Sequence, residues 1–231
     1  MSTPQLTAVA EDYIKVVWSL QEWSNEPVTT KDLAERLGVG TSTVSETVRR
    51  LVSQGLLDHP RYGAISLTEE GRRCALGMVR RHRLLETFLV NELGYTWDEV
   101  HDEAEVLEHA VSDLLVDRID ARLGHPTRDP HGDPIPARDL SLDSPDAYTL
   151  AVMEEGTTGT VSRISDEDPQ VLRYFADLEF GLDAHVHIVK RNDAVGVIEL
   201  EWSPVHQPQE TRTLTLGMLA ADAVWIVATN K

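Results

Sequence analysis

The stretch Thr29-Thr-Lys-Asp-Leu-Ala-Glu-Arg-Leu-Gly-Val-Gly-Thr-Ser-Thr-Val-Ser-Glu-Thr-Val-Arg-Arg50 decides the fold of the first part of the chain. Thr29-x-x-Asp32 has the spacing of a capping box and predicts a short helix through Leu37. Gly38-Val39-Gly40 supplies a turn. Thr43-x-x-Glu46 offers a second cap, for a helix carrying Val44, Val48, Leu51 and Val52 up to Gly55. Leu56 to His59 and Ala64 to Leu67 then read as short strands around Pro60-Arg61-Tyr62-Gly63. Helix, glycine turn, helix and hairpin is the order of a winged helix-turn-helix, whose second helix enters a DNA major groove by its N-terminal end. Here that end holds Thr41, Ser42, Thr43, Ser45 and Glu46, with Arg49 and Arg50 one turn on. Small hydroxyls can approach phosphates closely and donate to them. Arg61 and His59 sit at the hairpin tip, where a wing touches the DNA backbone. The hydroxyls could be a mere N-cap cluster, but a basic-tipped hairpin beside them favours double-stranded DNA as the partner.

Outward from this stretch, Ala8 to Glu22 has apolar residues at near-helical spacing, and Thr68 starts a long helix towards Leu93. Thr96-x-x-Glu99 is a capping box for a helical stretch to about Leu123, with a break near Ser112 and Gly124 as the stop. Residues 125–147 are rich in Pro, Asp and Gly and read as irregular chain, then a linker. After Tyr148 the texture becomes β-branched. Thr157 to Ile164, His185 to Val189, Val195 to Glu201 and Ala223 to Ala228 read as strands, and only Pro169 to Leu178 as a helix. The expected fold is α+β and multi-domain: a winged helix over 1–73, a helical domain over 74–140 and a small β-barrel over 148–231.

The chain has 231 residues and one cysteine, Cys74. An internal disulfide and a thiolate zinc site of the finger type are therefore excluded. No apolar run approaches the ~18 residues of a membrane span, and no signal peptide is expected. A cytoplasmic protein without a membrane partner is the default. The net charge of −18 argues against nucleic acid at first sight. It is uneven: residues 1–73 carry −2, 74–147 carry −9 and 148–231 carry −7. A near-neutral DNA module thus sits on an acidic body, and the acid needs its own explanation.

That explanation lies in residues 98–109, Asp-Glu-Val-His-Asp-Glu-Ala-Glu-Val-Leu-Glu-His. Like charges at i,i+4 repel by a few tenths of a kcal/mol per pair. His101, Glu105 and His109 follow at i,i+4 steps, and Glu105, Glu108 and His109 at i, i+3, i+4, so oxygen and nitrogen donors can share a face and one ion. His82 and Glu86 form a second i,i+4 pair on the preceding helix, and Glu11 and Asp12 could add a carboxylate. A solvated charged helix is the bland alternative; the second His/Glu pair favours metal.

These strings resemble the diphtheria-toxin-repressor family of metal-dependent regulators, and within it the manganese-transport regulators. The matching residues are Thr43-Val-Ser-Glu-Thr-Val48, Arg81-His-Arg-Leu-Leu-Glu86, His101-Asp-Glu-Ala104, Glu108-His109 and Pro130-His-Gly-Asp-Pro-Ile-Pro136. The resemblance implies a winged helix, a helical dimerisation domain with two metal sites, and an SH3-like (FeoA-like) domain. It implies a primary site of Asp12, Glu105, Glu108 and His109. It implies an ancillary site of His82, Glu86 and His101 with help from the SH3-like domain. A Glu-x-x-Gln spacing would choose Glu167 with Gln170 for that help. Counting back from Val186-x-Ile188 chooses Asp168, and Asp168 with Gln170 is the reading adopted. Iron-responsive members carry thiol and thioether groups at the positions of Glu105 and Asp12, whereas carboxylates there suit manganese. Lys15 stands where short manganese regulators place a carboxylate and build a two-ion cluster, so two separate sites are expected.

The resemblance further implies a homodimer that represses metal-uptake genes by binding palindromic operators when loaded with Mn2+, two ions per chain. Fe2+, Zn2+, Co2+ and Cd2+ would be accepted in vitro, and no small organic substrate is expected. Without metal, the carboxylates should repel and leave the first helix loosely held; metal should tie Asp12 to the dimer body. An iron-responsive repressor is the nearer rival. A metalloenzyme is the more distant one, and no catalytic signature supports it.

Overall fold

A computed structural model describes residues 6–24, 26–61 and 63–229; Tyr62, expected in the hairpin turn, lies outside them. The first helix, α1, spans Ala8–Glu22 with Thr7 as its cap, the Thr7 hydroxyl accepting from the Ala10 N–H. Helix α2, Thr30–Leu37, has both arms of the Thr29/Asp32 box and ends on Gly38 in the left-handed region at φ 65°. Helix α3, Thr41–Ser53, starts earlier than a Thr43 cap requires: Gly40 is its N-cap and no side chain caps it. Thr43 and Glu46 therefore lie inside the helix rather than at its entry, and neither is spent on capping. Strands β1 (Leu57–Asp58) and β2 (Ser66–Leu67) form the antiparallel hairpin. Ile14, Val17, Leu33, Val44, Leu51 and Ile65 are fully buried in the core beneath them, each contributing roughly 1.5–3 kcal/mol by leaving water.

Helix α4, Glu69–Leu93, belongs to two cores. Ala75, Leu76 and Val79 pack into the winged helix, while Leu84 and Leu85 pack with Ala104, Val116, Ile119 and Ile135. Residue 73 as a boundary thus falls inside a continuous helix. The stretch from Thr96 divides into α5, Val100–Leu107, and α6, Asp113–Leu123, the latter capped by Ser112. Only half of the Thr96 box forms, the Thr96 N–H donating to Glu99 Oε1 at 3.1 Å. The break between α5 and α6 leaves Glu108 as the C-cap of α5, its N–H still bonded to the Ala104 carbonyl, and His109 just beyond it.

Residues 129–136 are no solvated linker. Asp129 Oδ1 accepts from the N–H groups of His131 and Asp133, both at 2.9 Å, and the His131 carbonyl accepts from the Ile164 N–H at 2.8 Å. Gly132 makes this possible: its φ is +95°, and a Cβ there would lie 2.1 Å from the Ser162 carbonyl oxygen.

The remaining chain forms one antiparallel sheet. Its strands are β3 (Tyr148–Thr149), β4 (Thr158–Ile164), β5 (His185–Asn192), β6 (Val197–Ser203), β7 (Arg212–Gly217) and β8 (Val224–Ala228). Their order is β3-β8-β4-β5-β6-β7. The end strands β3 and β7 do not pair among the described residues, so the sheet is open, and the domain is SH3-like as expected. Helix α7, Pro169–Asp177, covers it through Leu172 and Phe175, and a short α8, Met218–Asp222, precedes β8. Neither β7 nor α8 was expected from sequence.

Candidate metal centre

Two groups of donors meet between α1, α4, the turn after α5 and the end of β4. In the first, His109 Nε2 lies 2.8 Å from Asp12 Oδ1 and 3.6 Å from Glu108 Oε1. Its Nδ1 is 2.9 Å from Glu11 Oε2. Asp12, Glu108 and His109 offer donor atoms within 4.8 Å of one another. Glu105 faces the Lys15 ammonium beside this group. Its Oε1 takes a 2.6 Å hydrogen bond from the Lys15 ammonium, which also donates to both oxygens of Glu108 at 2.9 and 2.7 Å. The repulsion expected among these carboxylates is thus answered inside the protein, and Lys15 and His109 hold α1 to the α5 turn.

The second group surrounds Glu86, which is almost completely buried. Glu86 Oε1 is 3.0 Å from His82 Nε2 and 3.3 Å from His101 Nδ1. From the β-domain, Asp166 Oδ2 reaches His101 Nδ1 at 2.9 Å. His131 joins from the pinned loop: Glu86, His131 and Asp166 form a further donor set within 4.8 Å. The residues fit a divalent cation by a direct sign. His131 Nδ1 is buried without a hydrogen-bond partner, a costly state for a polar atom that an ion would relieve.

Of the residues expected from sequence, the structure brings together Asp12, Glu108 and His109, and separately His82, Glu86 and His101. Glu105 meets Glu108 and His82 in a further donor set within 4.8 Å, with Lys15 bonded to both carboxylates. Asp168 and Gln170 do not join. Asp168 caps α7, its Oδ1 accepting from the Gln170 N–H at 2.8 Å, and both side chains are exposed. The residue two places earlier, Asp166, is the one that reaches the cluster. Asp168-Pro169 is an N-cap followed by a helix-opening proline, a signal that could have removed Asp168 from candidacy. His131 was missed although it lies in a matched string, because its stretch read as linker.

The electrostatics suit exchange of protons for metal. Burial works against a charge on His82, yet Glu86 and the Glu108 hydrogen bond push it up to about 9. His101 is likewise pushed up to about 10 against burial, by Asp166 and Glu86. Burial opposes ionisation of Glu86, but His82 and His101 hold its carboxyl well below the usual range. Both imidazoles must lose a proton to ligate, so affinity for a divalent cation should climb with pH up to about 9, by up to about tenfold per unit for each proton released. Calorimetry in buffers of different ionisation enthalpy measures that release. The metal-free protein should behave oppositely. Stabilisation from the two raised imidazoles is complete below 6.5, their ordinary value, and is lost as pH rises through 9 to 10.

At the other end of the molecule, Thr41, Ser42, Thr43, Ser45, Glu46, Arg49 and Arg50 are all exposed on α3, while Val44, Thr47 and Val48 face the core. Arg61 is exposed at the hairpin. One helix therefore presents a continuous polar face, and its domain shares α1 with the donor clusters. A winged helix joined through α1 and α4 to a buried oxygen and nitrogen donor set defines a DNA-binding protein built around a metal-binding core.

Comparison with known proteins agrees in three consecutive segments. Residues 5–65 match the N-terminal DNA binding domain of iron dependent repressors, 68–137 their metal binding and dimerisation domain, and 148–227 the FeoA domain. The iron-dependent repressor IdeR of Mycobacterium tuberculosis is 39% identical over 132 residues, which span 57% of this chain and 57% of that relative's length. The diphtheria toxin repressor of Corynebacterium efficiens is 31% identical over 199 residues, 86% of this chain and 77% of the relative. Among solved structures, a manganese-dependent transcriptional repressor in complex with manganese has a TM-score of 0.89 and 57% identity, over 95% of this chain and 99% of that one. The manganese regulator SloR has a TM-score of 0.76 and 31% identity, over 99% of this chain and 100% of that one. The chain belongs to the diphtheria toxin repressor family of iron-dependent repressors.

Proposed function

We propose that this protein is a manganese-activated transcriptional repressor, a cytoplasmic homodimer that binds palindromic operators of metal-uptake genes when metal-loaded. The observation that carries the reading is the donor set itself. Asp12, Glu108 and His109 offer oxygen and nitrogen within reach of one ion, with Glu105 beside them and no sulfur in the set. Hard donors of this kind suit Mn2+. The manganese-dependent repressor of similar fold favours the same metal; the IdeR likeness favours iron as the second reading. We assign two ions per chain, one at Asp12, Glu108 and His109, the other among His82, Glu86, His101, His131 and Asp166. Val106, Leu114 and Leu115 on α5 and α6 are exposed and give a second copy an apolar face to cover.

A bound divalent cation supplies charge that several carboxylates can share. Asp12 then holds α1 against Glu108 and His109 of the helical module. This fixes α3 relative to its dimer mate, so that two recognition helices meet two half-sites. The reading is tested with a palindromic duplex selected from random DNA by the wild-type protein. Binding should need Mn2+ and vanish with chelator. Arg49→Ala and Arg50→Ala should each weaken it by about tenfold while the Mn2+ count per chain stays unchanged. Equal binding with chelator present would refute the reading.

A further inference from the structure

The C-terminal end of α1 enters a buried joint that belongs to neither donor cluster. Arg163 of β4 packs beside a pair of indoles, its guanidinium carbon 5.0 Å from the Trp23 ring centroid and 4.3 Å from that of Trp225. The two rings are 5.9 Å apart, inclined at 52°. Trp23 is the C-cap of α1, and Trp225 lies in β8. Asp133 closes the joint, one carboxylate oxygen accepting from Arg163 Nε at 2.6 Å and from Trp23 Nε1 at 3.0 Å. A desolvated cation is held strongly against aromatic rings, and the guanidinium plane suits stacking in a way that an ammonium does not.

The joint is tied to the second donor group by two short, rigid legs. Asp166 lies three residues beyond Arg163, and His131 two residues before Asp133. The legs are bonded to each other, since the Ile164 N–H donates to the His131 carbonyl at 2.8 Å. The Ser165 N–H donates to the Ala223 carbonyl, also at 2.8 Å, which fixes the first leg to the chain just before Trp225. Each of the donors Asp166 and His131 thus shares a stiff segment with one of the two charged groups gripping Trp23. Beyond Trp23 the chain runs through Val28, which bridges to Ile65 of the wing, into α2 and α3.

We propose that the second donor cluster acts on the DNA-binding module through the Trp23–Arg163–Trp225 cluster, with Arg163 as a positioning residue. The SH3-like domain then has a mechanical role. It grips the C-terminal end of α1, while Asp12 is held at the N-terminal end, and both ends must be fixed for α3 to take one orientation. The inference rests on the assignment of Glu86, His131 and Asp166 to the second ion.

A double-mutant cycle on full-length protein tests it. Binding of the selected duplex is measured at saturating Mn2+ for wild type, Arg163→Leu, Asp166→Ala and the double variant, with bound Mn2+ counted by equilibrium dialysis. Asp166→Ala should lose one ion. Arg163→Leu should keep both ions yet weaken DNA binding by about tenfold, and the double variant should be no weaker than Asp166→Ala alone. Arg163→Lys, which retains the charge and a donor for Asp133, should recover part of the loss. The exciton couplet of the Trp23–Trp225 pair in circular dichroism, isolated by subtracting the Trp225→Phe spectrum, should change when the second ion binds to wild type and stay constant in Asp166→Ala. Additive losses in the cycle, or a couplet that ignores the second ion, would overturn the coupling. An unchanged ion count in Asp166→Ala would overturn the site assignment beneath it. Should Arg163→Leu fold poorly, the couplet response of wild type against Asp166→Ala decides the matter alone.

Discussion

Asp12→Ala should abolish metal-dependent DNA binding at micromolar Mn2+ while leaving the metal-free fold intact. Asp12 is the one member of the first donor group that α1 contributes. Its side chain is 37% exposed and faces His109 Nε2 at 2.8 Å. Burial, with Glu105 and Glu108 adding to it, pushes its carboxyl up against the pull of His109. In the metal-free state, removing the group relieves its repulsion with Glu105 and Glu108 while losing its contact with His109; in the loaded state it removes a ligand. Glu11 cannot take over, because it engages the opposite ring nitrogen of His109 at 2.9 Å. Groups that merely orient a ligand are worth about 10- to 100-fold in affinity, so loss of a ligand should cost about 100-fold or more at the first site. The second group, on α4, α5, the pinned loop and the segment after β4, contains no α1 residue and should still take up its ion. The expected pattern is one Mn2+ per chain, a melting temperature in chelator within a few degrees of wild type, and no operator binding. Normal operator binding by Asp12→Ala would show that the first site does not couple α1 to the helical module.

Arg83→Met should produce the largest loss of stability. The Arg83 side chain is 9% exposed and holds Glu22 of α1 through two hydrogen bonds of 2.9 and 2.6 Å. It also lies 3.4 Å from Asp133 and 3.7 Å from Asp129. Methionine would fill the space but leave three buried carboxyls facing one another with Arg163 as their main counter-charge. Breaking a buried ion pair from one side costs about 3–5 kcal/mol. The cost should depend on pH in one direction. Burial outweighs Arg83 at Glu22 and holds its carboxyl at about 7; without the guanidinium it rises further. A carboxyl raised in this way stabilises the fold when protonated, fully so below its ordinary 4.5, and the contribution is lost as pH climbs through 7. Urea unfolding should thus find Arg83→Met close to wild type near about pH 5 and far weaker at about pH 8. A deficit independent of pH would mean that the acids around Arg83 titrate as ordinary surface groups.

The sequence made some of this legible and hid the rest for physical reasons. The capping box of Thr29 and Asp32, the Gly38 and Gly124 stops and the Thr68 start were readable because helix ends depend on local chemistry. The donors within single helices, His82 with Glu86 and His101 with Glu105, were readable from i,i+4 spacing. Asp166 and His131 were not, because they reach the cluster through β4 and through a loop whose order comes from tertiary bonds: Asp129 folding back on its own backbone, and Gly132 pressed on β4. Glu105 was legible in part. Helical spacing puts it with Glu108, and the two do offer donors within 4.8 Å together with His82, while the Lys15 ammonium, 90 residues away in sequence, binds both carboxylates.

The choice of metal rests on few atoms, chiefly the carboxylates of Asp12 and Glu105. The most direct test is a titration of operator binding with Mn2+, Fe2+ and Zn2+ under anaerobic conditions, on wild type and on Glu105→Cys. The wild-type protein should be activated by Mn2+ at concentrations as low as any Fe2+ requires, and the thiolate variant should shift activation towards Fe2+ and Zn2+. Activation of the wild-type protein by Fe2+ at lower concentration than Mn2+ would contradict the assignment and make this an iron-responsive repressor.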